Sequence, residues 1–456
     1  MPRLLIGNDF TEDLENAGEQ RLATARWHAK RAVFFARDHD VLVLPEAPDD
    51  SFVRYVTALT GTDPASLAVV IPPESAMLTP ATLAGPALRE RVRAALAGRR
   101  IDAVIPLHPD PAAVDLARGL GLLDAVAGHA FIAQGGGSLA NSKAVFRALA
   151  AGTGAPIPEG AVCADPEAAA RAVCPLFEQG HPVIVKHEYR QATRGNEILS
   201  PVGGITAWGA RRLTVLGDSG AVAGYLRDHW GELAGDGGQG HRLVVERYFP
   251  GSTALFAEFT LTDAGTAGPG TGGGADTGTG TGTGTGIEPA GQGEMVYDPK
   301  PSAQIMPVRT VDPELTAELL ARGRALCEPL HAMGYRGTLS TDAVVTPAGQ
   351  LYFTEFNGRT TGSSHIYAEI GARIVGPDYP ARRVLLEHVA WPVTSFDRAV
   401  AALSDAGLAY SQDTRTGVVI STAFDAAYKD LCFCAVSEDL AGARKLRQRV
   451  LDLPDA

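Results

Sequence analysis

The sequence predicts an α/β (α+β) protein in three parts, spanning residues 1–135, 136–394 and 395–456. Three observations carry that expectation. Short apolar runs alternate with helical stretches over the first 135 residues, the pattern of a parallel sheet with covered faces. Gly135-Gly136-Gly137 then breaks the chain and sets the first boundary. Farther on, Gly337 to Gly362 reads as a β-hairpin that concentrates polar chemistry on one face.

In the first part, the runs Arg3 to Ile6, Val41 to Leu44, Leu67 to Ile71 and Ala103 to Ile105 are strand candidates, and Glu15 to Arg37 and Leu88 to Ala97 are helix candidates. Ligands of such sheets sit at the carboxyl ends of the strands. Gly7-Asn8-Asp9, just past the first strand, is therefore either a substrate contact or a plain loop.

The second part opens with a helix capped by Asn141 or Ser142 and ending before Gly152. Lys143 lies in its first turn, where a cation opposes the helix dipole and an anion would reverse the sign. Position alone leaves open whether it is a solvated lysine or an anion ligand. Pro182 to Lys186 is a buried-type strand ending in lysine. That lysine either snorkels to water or aims a point charge into a cleft. His187 to Leu199 contains Thr193-Arg194-Gly195-Asn196 and reads as a loop whose N–H groups can cover phosphates. His241 to Gly251 is a strand running into a Pro-Gly turn, and Leu255 to Leu261 is the next strand. Asp263 to Gly293, with an unbroken Thr-Gly run from Thr277 to Gly286, reads as a disordered, overgrown hairpin loop. Asp312 caps a helix to Met333 with Pro313 in its first position.

In the hairpin, Ser340 to Thr346 and Leu351 to Phe356 flank Pro347-Ala348-Gly349-Gln350. With Ala348 and Gly349 at the centre of the turn, Asp342 faces Glu355, with Cβ atoms about 5 Å apart. Carboxylates that close repel unless a cation lies between them. Alternation places Glu355, Asn357 and Arg359 on one face. Two carboxylates and an amide oxygen suit Mg²⁺, and an arginine beside them suits a phosphate or oxyanion. An ordinary solvent-facing hairpin is the competing reading. In the third part, Phe396 to Ala406, Gly417 to Ala423 and Leu440 to Leu451 suggest helix, strand and helix.

Composition bounds the function. The 456 residues carry 45% hydrophobic and 20% charged side chains, ordinary for a globular chain, and a net charge of −12. That charge argues against a general nucleic-acid or anionic-membrane surface, leaves room for a local basic pocket for ATP, and suggests cationic donors. The five cysteines show no metal spacing and no disulfide framework; Cys432 and Cys434 share a strand face as core residues. The opening MPRLLIGNDF turns polar after an apolar run too short for a signal h-region, and the lack of a disulfide framework fits a reducing cytosol, so a cytoplasmic location is expected.

Taken in order, these parts resemble the ATP-grasp superfamily. That resemblance implies a pre-ATP-grasp α/β domain (1–135), an ATP-grasp domain (136–394) and a small C-terminal α/β domain (395–456). It implies that Lys143 and Lys186 reach ATP phosphates, that Gly195 and Asn196 belong to the flap, and that the backbone of Glu246 and Phe249 in Val244-Val245-Glu246-Arg247-Tyr248-Phe249 reads adenine. Asp342, Glu355 and Asn357 would hold Mg²⁺, and Arg359 would be catalytic. Residues 2–9, 195–196 and 342–362 and the short C-terminal domain more narrowly resemble the peptide-ligase branch typified by pheganomycin biosynthesis. The implied reaction phosphorylates a carboxylic acid to an acyl phosphate, which the amino group of a peptide attacks. A free amino acid or bicarbonate as acceptor and a non-catalytic ATP-binding module are the alternatives; no biotin-carrier segment is present. Relatives are often homodimers.

Overall fold

The computed structural model describes residues 2–9, 14, 17–73, 77–191, 193–235, 242–263, 286–298 and 300–453. Strands β1 (Arg3–Ile6), β2 (Val41–Val43), β3 (Ala68–Val70) and β4 (Ala103–Pro106) form a parallel sheet in the order β3-β2-β1-β4. Alternate residues serve different cores, because neighbouring side chains leave opposite faces of a strand. Leu4, Ile6, Val41 and Val43 pack with Leu88, Val92 and Val114, whereas Leu5, Leu42 and Leu44 pack with Phe34, Phe52 and distant residues such as Ile366 and Phe433. The first domain is thereby welded to the rest of the chain. The expected helix Glu15 to Arg37 is two helices, Glu19–Ala29 and Ala32–Phe35, broken at Lys30 and Arg31. Arg31 Nη1 turns back onto the carbonyl of His28 (3.1 Å), which ends the first helix.

A second sheet has the order β5-β9-β6-β7-β8, from β5 (Gly160–Cys163), β6 (Val183–His187), β7 (Asn196–Ser200), β8 (Leu213–Val215) and β9 (Leu243–Arg247). It is antiparallel except where β7 meets β8. Helices Pro166–Glu178 and Ser219–Asp228 cover one face. Asn196 to Leu199, expected as loop, belong to β7, where Ile198 and Leu199 are fully buried.

The third sheet has eight antiparallel strands: β10 (Thr253–Leu261), β11 (Ile287–Asp298), β12 (Lys300–Met306), β13 (Gly337–Val345), β14 (Leu351–Asn357), β15 (Val384–Pro392), β16 (Gly417–Ile420) and β17 (Asp430–Ser437), in the order β14-β13-β10-β11-β12-β15-β17-β16. The small C-terminal domain adds β16 and β17 to it through β15. Cys432 and Cys434 are buried on β17.

The Gly/Thr-rich segment requires a correction at its far end. Residues 264–285 lie outside the described residues, but Ile287 to Gly293 are the first half of β11, paired with β10. Their glycines look loop-like in sequence, yet here they permit close packing. A Cβ on Gly291 would lie 2.4 Å from Tyr367, and one on Gly293 would lie 2.6 Å from the carbonyl of Ile305. Pro289 pairs with Phe259 where the register shifts, a place that tolerates a residue without an N–H.

Candidate active site

Residues of the second and third sheets, with Asp9 and the helix Glu19–Ala29 and its end at Arg31 from the first domain, line one cavity of about 690 Å³. Its floor is the β13–β14 hairpin. The turn is a three-residue loop: Gly349 N donates to Thr346 O (2.9 Å), Gly349 adopts φ +76°, and Thr346 pairs with Gln350. That differs from a turn centred on Ala348 and Gly349, and Val345 consequently pairs with Leu351. The register shifts again between Asp342 and Ala343, with Thr354 as the extra residue, and Asp342 does face Glu355. The bulge frees the carbonyl of Thr354, which accepts from Lys186 Nζ at 3.2 Å.

The carboxylates differ in surroundings. Asp342 accepts from Ser340 Oγ and Asn357 Nδ2, both at 3.0 Å. Burial and the facing Glu355 push its carboxyl well above the usual range. Burial would also raise Glu355, but Lys143 and Lys186 outweigh it and hold Glu355 below its ordinary value. Lys143 Nζ lies 3.1 Å from Glu355 Oε2 and donates to Arg190 O at 2.9 Å. Asn357 Oδ1 accepts from Arg359 Nη1 at 2.6 Å, and a carbonyl oxygen keeps a second lone pair. A divalent cation between the carboxylates would relieve their repulsion, and this donor set suits Mg²⁺. Among the described residues there is no group of three or more His, Cys, Asp or Glu that could hold a metal. One or two carboxylates with an amide oxygen is the protein share of a Mg²⁺ site whose other ligands are substrate phosphates and water.

The lysines are placed by buried partners. Ser142, not Asn141, caps the helix Lys143–Thr153: its Oγ accepts from Val145 N at 3.1 Å and donates to Glu188. The helix runs through Gly152 and ends at Gly154, which takes φ +69°. Arg147, one turn beyond Lys143, meets Glu246 Oε1 at 2.7 Å, and Lys186 Nζ meets Glu246 Oε2 at 2.6 Å. Glu246, 1% exposed, thus bridges the helix and β6 through its side chain. After it the chain leaves β9. Arg247 N donates to Glu159 O, Tyr248 N to Pro182 O, and the Phe249 ring stacks on Tyr352 with centroids 5.0 Å apart.

Of the residues expected to act together, Lys186, Asn196, Glu246, Phe249, Asp342, Glu355, Asn357 and Arg359 line the cavity; Lys143 and Gly195 do not. Lys143 reaches it through Glu355. Gly195 is a packing residue, since a Cβ there would lie 2.6 Å from the Cβ of Arg190. Asn196 Nδ2 is spent on Gly209 O at 2.9 Å. Sequence reasoning missed Arg147, the Thr354 carbonyl and Glu258. The last is fully buried and accepts from Thr361 Oγ1, Ser364 Oγ (3.0 Å) and Tyr367 OH (2.7 Å), which fixes the loop after Arg359. Only the four-residue spacing of Arg147 from Lys143 could have signalled any of these.

These features define an ATP-grasp fold preceded by a pre-ATP-grasp domain. Residues 29–122 match the Pre ATP-grasp domain family, and residues 398–450 match the PGM1 C-terminal domain family. No curated protein matches the chain. Among solved structures, the biotin carboxylase domain dimer of the 2-oxoglutarate carboxylase of Hydrogenobacter thermophilus, in complex with MgADP, ADP and bicarbonate, is 14% identical (TM-score 0.56), with 100% of this chain and 90% of that chain covered. The L-amino acid ligase of Bacillus licheniformis is 11% identical (TM-score 0.51; 99% and 97% covered). The N5-carboxyaminoimidazole synthetase of Staphylococcus aureus, complexed with ADP, is 12% identical (TM-score 0.53; 99% and 97% covered). At these identities the likeness establishes the fold. Among the described residues no helix is long and apolar enough to cross a membrane.

Proposed function

We propose that this protein is an ATP- and Mg²⁺-dependent carboxylate–amine ligase that couples a carboxylic-acid acyl donor to the amino group of a peptide and releases ADP and phosphate. The observation that carries the reading is the facing pair Asp342 and Glu355 with Lys143 3.1 Å from Glu355 and with Lys186 on the Thr354 carbonyl beside it. The two carboxylates and the Lys186 ammonium line one cavity, and Lys143 reaches it through Glu355; carboxylates for a cation beside ammonium groups for phosphates are the equipment phosphoryl transfer needs. The ADP-bound and MgADP-bound relatives support ATP and Mg²⁺, and the L-amino acid ligase supports a carboxylate–amine reaction.

In this reading Asp342, Glu355 and Asn357 hold Mg²⁺. When bound, it neutralises the β- and γ-phosphates. Lys143 and Lys186 move from their carboxylate partners to phosphate oxygens. The Glu246 and Phe249 backbone reads adenine, and Gly195 and Asn196 belong to the flap. The donor carboxylate attacks the γ-phosphorus and becomes an acyl phosphate, whose phosphate leaves when the amine attacks. Arg359, anchored on Asn357, holds the developing oxyanion. Closure around the cavity keeps water from the acyl phosphate.

The peptide acceptor, a role in peptide natural-product biosynthesis and likeness to the pheganomycin peptide ligase are the finer part of the proposal and rest on the resemblance of residues 2–9, 195–196 and 342–362. So are a cytoplasmic location, homodimerisation and the domain limits 1–135, 136–394 and 395–456. The test is ADP and phosphate release with ATP and Mg²⁺ against panels of carboxylic acids, with and without an amine-bearing peptide. Release that needs both substrates supports the proposal. ATP binding without turnover in any combination overturns it.

A further inference from the structure

The cavity extends beyond Arg359 to a corner built by the first domain, where Asp9, His28 and Arg31 join Arg359 and Thr360 in its lining. Asn8 sets this corner. Its side chain donates to His108 O at 2.8 Å and accepts from His108 N at 3.3 Å, tying the loop after β1 to the loop after β4. Gly7 packs closely just before, since a Cβ there would lie 2.8 Å from Leu44 Cδ2 and 3.3 Å from the carbonyl of Val43. Asp9 follows, and its Oδ2 lies 3.0 Å from Arg31 Nη1.

Arg31 is only 6% exposed. Its Nη1 is used by Asp9 and by His28 O, and its Nη2 approaches Thr360 O at 3.5 Å. Its Nε, equally buried, has no hydrogen-bond partner among the described residues. A buried guanidinium N–H without a partner costs free energy unless a ligand supplies the acceptor. Arg31 and Arg359 contribute two positive charges here and Asp9 one negative charge. His28 is neutral, because burial pushes it down to about 4. The corner therefore carries a net positive charge, opposite to the chain as a whole. It favours an anion where the overall charge of −12 suggested a cationic substrate.

We propose that Arg31 is a specificity-determining residue that binds the carboxylate of the acyl donor together with Arg359, with Asp9 holding the guanidinium in place. The inference rests on the ligase reading above. A planar carboxylate matches the fork of a guanidinium, and the acid must lie beside the γ-phosphate site, which Arg359 borders through its 2.6 Å bond to Asn357. The phosphates of ATP are the other anions present, and they have Lys143 and Lys186.

The experiment compares wild type with Arg31→Gln and Arg31→Lys, using free L-amino acids as donors, glycylglycine as the amine and ADP release as the readout; thermal unfolding checks that each variant folds. Arg31→Gln is expected to raise KM for the best donor by about 10- to 100-fold, the usual weight of a charged hydrogen bond, with KM for ATP within about twofold of wild type. Arg31→Lys falls between, since it keeps the charge without the fork, and it serves alone if the Gln variant does not fold. An unchanged donor KM, an equal rise in KM for ATP, or a rise confined to glycylglycine overturns the assignment while leaving the ligase reading intact. Wild type that binds ATP but turns over with none of these acids overturns both.

Discussion

Asp342 and Glu355 face each other across a ladder whose register slips near the turn and is restored by a bulge at Thr354. The bulge brings the two carboxylates opposite and at the same time exposes the carbonyl that Lys186 uses at 3.2 Å. One backbone irregularity thus builds both halves of the phosphate and metal site.

Removing one charge of this pair should stop the reaction without emptying the nucleotide pocket. Glu355→Gln is expected to lower kcat by at least about 100-fold, the scale of losing one preorganised charge contact, while ATP still binds by calorimetry. Ligation within a few-fold of wild type would show that Glu355 holds no metal.

Glu246 is a structural bridge as well as part of the adenine segment. Its side chain neutralises Arg147 at 2.7 Å and Lys186 at 2.6 Å, all three nearly excluded from water. Glu246→Gln leaves two buried cations short of their counter-ion and is expected to cost about 3–5 kcal/mol in denaturant unfolding, together with a raised KM for ATP. A stability loss below about 1 kcal/mol would show that the bridge is not maintained.

Glu387 on β15 should make stability depend on pH. It is 3% exposed, accepts from Gln304 Nε2 and Ser421 Oγ, both at 2.8 Å, and burial pushes it up to about 7 from 4.5. The fold prefers the protonated form. Its contribution is therefore fully present below pH 4.5 and is lost as pH rises through about 7. Wild type should lose on the order of 3 kcal/mol relative to Glu387→Gln between those limits. The amide meets Gln304 differently and adds an offset that does not vary with pH, so the slope with pH is the measurement. A flat difference in melting free energy between pH 5 and 8 would refute it.

Shortening the Thr277–Gly286 run by removing Thr-Gly pairs ahead of Gly286 should change kcat by less than about twofold. The pairs removed lie outside the described residues, and the ladder they join already closes at Leu261 and Ile287, with Thr262 N on Gly286 O at 2.7 Å. Loop-closure entropy varies slowly with length. A large fall in kcat, measured by ADP release, would assign the run a part in turnover.

Local pattern determined much of this protein. The alternation of apolar runs and helices determined the parallel sheet of β1 to β4, because a strand buried on both faces has to be apolar throughout. Asp312 and Pro313 determined the start of the helix Pro313–Ala332, because cap chemistry is local. The period of a strand placed Glu355, Asn357 and Arg359 along one cavity wall. Tertiary structure decided the rest. It turned Ile287 to Gly293 into a central strand, since the pressure of Tyr367 and Ile305 on Gly291 and Gly293 comes from distant segments. It broke the long first helix at Arg31 and carried that side chain to Asp9 and to Thr360, 329 residues away. Ion pairs such as Arg147 with Glu246, 99 residues apart, leave no periodic trace in a sequence, because only the folded chain brings their charges out of water together.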